Sequence, residues 1–369
     1  MPIAINGSGT LTGLSVGGLE DGIITPAELS TGGPGWDAQS NLTNVASINA
    51  GPLAGMRNAI INGNFDHWQR GTSFASPTNA NYTADRWKVQ FDNTGATRTL
   101  SRQSFALGQT DVPGEPTYFM RFDQSVAGSG GTFTQLDQRI ESVRTFAGQQ
   151  VTISFWAKAA ASTTMPSVGF QQLFGTGGSP SSLTSATAGS SLALTTAWQK
   201  FSYQVTLPSI SGKTLGTDNN DALIAVFFMP LNATFTIDIA QVQVEPGAVA
   251  TAFERRPIGM ELSLCQRYCK VTVPTNIHGW ASTGTSARFF IPISPQMRAW
   301  PTVTDAGLTG LTIIEVNTSK SGNFGSKSAE ASRSDGIEIA FDSWTGSAFT
   351  ANNNLRFQGP PSLTLSAEL

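Results

Sequence analysis

The sequence predicts an all-β protein: an extended N-terminal arm, a central β-sandwich of jelly-roll type, a short linking helix and a smaller C-terminal β domain. Three observations lead there. Residues 151–157 alternate, with Val151, Ile153, Phe155 and Ala157 on one face and Thr152, Ser154 and Trp156 on the other, the period-two pattern of a half-buried strand. Several such runs follow one another between turns, and hardly any helical period appears. Charged residues are only 13% of the chain against 39% hydrophobic. Gly, Ser, Thr, Asn and Gln make up the difference, as suits a turn-rich β fold.

Residues 1–55 are Gly-rich and weakly apolar. Alone they bury little, so they read either as a linker or as an arm that wraps other subunits or docks to a larger particle. Trp36 is the telling residue, because its ring must be buried against something and the arm has no core of its own.

Residues 56–256 form the sandwich. Ile60-Ile61 suits a first strand and Asn62-Gly63 a turn, since Gly and Asn reach positive φ cheaply. Phe65 and Trp68 follow as large apolar side chains with Asp66 between them. Asp66 reads either as a turn cap or as the holder of a cation that locks the turn. Near Trp87, Arg86 is placed to stack on an aromatic face. Tyr118, Met120 and Phe122 share a face, and 132–140 continues the alternation. The low-complexity stretch 175–191 reads as a long loop. Strands are expected at 198–207, at 222–229 as an apolar central strand, and at 235–244. Residues 257–270 read as the linking helix, with Pro257 in its first turn and a stripe of Met260, Leu264 and Tyr268 widened by Leu262 and Cys265. Cys265 and Cys269 are the only cysteines and are expected as buried free thiols. Residues 271–369 alternate again in short runs and form the second β domain.

A net charge of −3 without a basic run argues against nucleic acid or anionic lipid as partners. No apolar run approaches the ~20 residues of a membrane span, so no membrane insertion is expected. Residues 1–6 carry no signal-peptide pattern, which fits an intracellularly made protein released by lysis.

Two resemblances add to this reading. The run Asn62-Gly63-Asn64-Phe65-Asp66 with Trp68, the strand 151–159 and the strand 235–242 with Asp238 resemble carbohydrate-binding modules of the CenC-like jelly-roll type. Glu245-Pro246-Gly247, then Phe253-Glu254-Arg255-Arg256-Pro257, then Leu264-Cys265-Gln266-Arg267-Tyr268 are similar to tail-fibre proteins of tailed bacteriophages. The resemblance implies a virion localisation and a homotrimer. It implies attachment to other tail or baseplate proteins through residues 1–55, with Trp36 in that arm, and host surface polysaccharide as the partner at the other end. It also implies a structural Ca²⁺ held by Asp66 and Asp238, although two carboxylates are a minimum for an ion that takes six to eight oxygens.

For glycan recognition the residues themselves suggest Trp156, as a stacking plane beside Lys158, with Arg121 and Gln135 on the same open sheet. The other reading of Trp156 is packing under the loop or against a neighbouring subunit. Two function classes compete with glycan binding: a head or baseplate decoration protein, and a polysaccharide-degrading tail enzyme. The enzyme needs two facing carboxylates, and Asp85, Asp123, Asp137, Glu141 and Glu245 are scattered without a motif. No His-Glu-x-x-His run and no β-helix repeat is present. A non-enzymatic protein is therefore expected.

Overall fold

The computed structural model describes residues 35–36, 42–43, 55–272, 277–305, 311–315, 318–333, 336–357 and 363–369. The chain divides into two compact units, Met1–Leu53 and Ala54–Leu369. In the first, β1 (Gly35–Trp36) pairs antiparallel with β2 (Leu42–Thr43). The Trp36 side chain, and with it the attachment expected there, lies outside the described residues.

The second unit opens with the sandwich. Its strands are β3 (Ser73–Ala75), β4 (Asn81–Tyr82), β5 (Trp87–Phe91), β6 (Thr97–Ser104), β7 (Tyr118–Val126) and β8 (Thr134–Glu141). They continue with β9 (Gln150–Ala159), β10 (Thr163–Leu173), β11 (Thr184–Leu194), β12 (Gln199–Thr206), β13 (Ala222–Phe228) and β14 (Phe235–Pro246). Sheet I has the order β12-β9-β14-β7-β6-β3 and sheet II the order β11-β10-β13-β8-β5-β4, six antiparallel strands each. Inward-pointing residues of both sheets, Phe122, Phe155, Ile237 and Val244 from one and Trp87, Leu136, Phe170 and Phe227 from the other, make one core. The β13 strand, nearly all apolar, lies between β10 and β8 with residues 222–227 buried on both faces.

A helix, α1 (Ile258–Gln266), follows, and then β15 (Cys269–Thr272), β16 (His278–Ala281), β17 (Ala287–Pro292), β18 (Thr302–Asp305) and β19 (Leu311–Glu315). The last strands are β20 (Thr318–Gly322), β21 (Ser326–Arg333), β22 (Gly336–Asp342), β23 (Asn354–Phe357) and β24 (Leu363–Ser366). They form a three-stranded sheet, β15-β24-β18, and a seven-stranded sheet, β20-β19-β23-β16-β17-β22-β21. Phe289, Phe324, Phe341 and Trp344 lie in the second core. Among the described residues no helix is long and apolar enough to cross a membrane.

The structure corrects several local expectations. Ile60-Ile61 is not a strand. Asn58 Oδ1 instead accepts from both Ile60 N (2.9 Å) and Val244 N (3.0 Å), so a side chain replaces a ladder bond beside β14. The stretch read as a loop over 175–191 contains most of β11, whose alternating polar and small residues suit an edge strand. The helix is shorter than 257–270, and Cys269 lies in β15. Both cysteines are buried and free, as expected. Of the expected stripe, Met260 is exposed and Leu262 and Leu264 are half-buried, while Cys265 within α1 and Tyr268 beyond its end are buried.

Candidate glycan-binding face

The site begins at the Asn62-Gly63 turn. Asn62 has φ 58°, and Gly63 approaches Val242 so closely that a Cβ would collide with its carbonyl oxygen. The Asn62 amide then locks the turn. Nδ2 donates to His67 O (2.8 Å) and Asp85 O (3.0 Å), and Oδ1 accepts from His67 N (3.0 Å). The hydrogen bonds that close this loop thus come from Asn62, while Asp66 accepts from Asn64 Nδ2 (3.0 Å).

The outer face of sheet I carries the site. Trp156 is half-buried on β9, opposite Lys200 of β12 and Ala240 of β14. With Ser154 it lines a cavity of about 400 Å³. The β14 register shifts between Ala240 and Gln243, and Gln241 sits there with φ 48°. Such bulges re-aim side chains, and Gln241 Nε2 reaches Pro113 O at 2.7 Å. Pro113 and Gly114 form one wall, and Thr251, Phe253 and Arg255 another.

That second wall is stapled to β14. Buried Glu245 accepts from Thr251 N (2.8 Å), Thr251 Oγ1 (2.8 Å) and Gln243 Nε2 (2.8 Å), and pairs with Arg57 at 3.2 Å. Gln243 Oε1 accepts from Glu254 N (2.7 Å). Asn64 also lines the cavity; it is 6% exposed and its Oδ1 has no hydrogen-bond partner.

Beside the cavity, Phe105, Phe119 and Trp198 pack with ring centroids 4.8–5.2 Å apart. Lys158 Nζ stands 5.2 Å from the Trp198 centroid. Arg121 shares this face, and Asp238 accepts from its Nε (2.8 Å) and Nη2 (2.9 Å). That bond raises the Arg121 pKa further. Lys158 lies 3.9 Å from the same carboxylate. Asp238 is thus the acceptor of an ion pair. Among the described residues no group of three or more His, Cys, Asp or Glu could hold a metal ion.

Gln135 belongs elsewhere. It lies on β8 of sheet II, buried, donating to Gln90 (3.3 Å) and Asp137 (3.1 Å). Gln and Asp recur at alternate positions on both sheets, and alternation alone does not say which sheet a strand joins. Sequence reasoning missed Asn64, Lys200, Gln241 and Arg255. The register of β12 against β9 makes Lys200 a neighbour of Trp156, whereas the bulge that places Gln241 leaves no mark in the alternation. The acids considered for hydrolysis are dispersed: Glu141 pairs with Arg267, Glu245 with Arg57, and Asp85 accepts from Gln69.

No protein-family model matches the chain, and no curated protein sequence does. Several solved structures are similar over about half of it. A family 4 carbohydrate-binding module shares 19% identity, covering 50% of this chain and 98% of its own, with a TM-score of 0.30. The family 11 module from Clostridium thermocellum, solved with a mixed-linked tetrasaccharide, shares 10% over 49% and 98%, TM-score 0.28. The enzymatically active domain of tailspike protein 4 from bacteriophage CBA120 shares 10% over 53% and 22%, TM-score 0.33.

Proposed function

We propose that this chain is a non-enzymatic, glycan-binding component of a virion appendage, a phage tail fibre or receptor-binding protein. Residues 1–55 attach it to the particle, and the sandwich meets host surface polysaccharide. The observation that carries the binding role is the cavity at Trp156, where an aromatic plane stands beside an amide, a hydroxyl and two cations. Sugar rings stack their C–H faces on such planes, and their hydroxyls take the polar groups. The tail-fibre setting rests on the sequence resemblance around Glu245 and Phe253. Trimeric display would multiply weak contacts into useful avidity.

A glycan array with the full chain and Trp156→Ala tests this. Binding by the native protein and its loss in the variant are expected, with both melting alike. Equal binding by the two removes the Trp156 cavity as the site. Turnover of the bound polysaccharide would favour the enzyme instead.

A further inference from the structure

The charge around Trp156 narrows the ligand class. Two charged side chains line the cavity, Lys200 and Arg255, and both are cationic. Lys200 is exposed, and Arg255 makes only long bonds to Gly114 O (3.3 Å) and Glu115 O (3.5 Å). Neither has a carboxylate partner among the described residues. Arg121 and Lys158 differ, because both stand at Asp238, which offsets one of their two charges.

From these observations we infer that the Trp156 cavity takes an acidic saccharide, a sugar bearing a carboxylate. The inference rests on the proposed glycan-binding role. Trp156 stacks the ring, and Arg255 and Lys200 receive the carboxylate. Charge-assisted hydrogen bonds are about twice as strong as neutral ones, so the acid group sets the preference.

The test uses uronic-acid oligosaccharides, each paired with its carboxyl-reduced counterpart, titrated calorimetrically against the full chain at low salt. The acidic member should bind at least about tenfold more tightly, with the gap shrinking as salt is added. Lys200→Gln with Arg255→Gln should close the gap, and Trp156→Ala should abolish binding of both members. Lys200→Glu alone, at an exposed side chain, guards against a folding defect in the double variant and should also narrow the gap. Equal or tighter binding of the reduced members, still lost in Trp156→Ala, overturns the acidic preference and leaves the glycan role intact. Binding of no saccharide at all overturns both.

Discussion

At the scale of single residues, Asn62 shows how one amide side chain can fix a turn. It is fully buried, and it answers one backbone N–H and two backbone carbonyls. Asn62→Ala leaves those groups unpaired and should cost about 3 kcal/mol in urea denaturation. EDTA tests the cation expected at Asp66 and Asp238: a fall in melting temperature would point to one, and no shift would count against it and leave Arg121 as the positive charge at Asp238. Asp137 offers a pH test. Burial pushes its carboxyl up to about 6, above its unfolded value of about 3.9. The folded state then holds the proton more tightly, so this group's contribution to stability falls as pH rises from about 4 to about 6 and is level above. Asp137→Asn should flatten that descent in a pH series of melting temperatures.

At the scale of elements, the strap after β14 joins folding to binding. Glu245 holds Thr251 and Arg57, and Thr251 and Phe253 wall the cavity. Glu245→Ala removes a buried acceptor and leaves Thr251 N, Thr251 Oγ1 and Gln243 Nε2 without it, a loss of about 3 kcal/mol. The variant should melt lower and also lose glycan binding, which calorimetry would show; binding of native strength would separate the strap from the site. The legible part of the sequence was the alternation of strongly apolar strands: Val151 to Ala157 defined its own two faces and with them Trp156. The illegible part depended on partners. A strand of Ser, Thr and Ala such as β11 has no apolar stripe to announce it, and Gln135 needed its sheet before its neighbours could be known. The Phe253-to-Pro257 run was visible as a motif, but its cause, a buried network around Glu245 and Gln243, emerges only when distant segments meet.

At the scale of the second unit, the joint between sandwich and C-terminal sheets holds a buried ionic cluster. Arg86, fully buried, stacks on Tyr268 with its guanidinium carbon 3.4 Å from the ring centroid, and it pairs with Glu368. Arg70 meets the same carboxylate at 2.8 Å, and Tyr82 donates to Leu369 O at 2.6 Å. Arg267 and Glu141 pair beside them at 3.1 Å. Burying two guanidinium groups is tolerable only while Glu368 answers them. Glu368→Ala should therefore cost about 3–5 kcal/mol, a larger loss than an exposed pair of the same geometry would give. If this joint makes sandwich and C-terminal sheets unfold together, calorimetry should show one transition in the native protein and two in Glu368→Ala. A single, merely lowered transition in the variant would mean that apolar packing, rather than this carboxylate, couples the two parts.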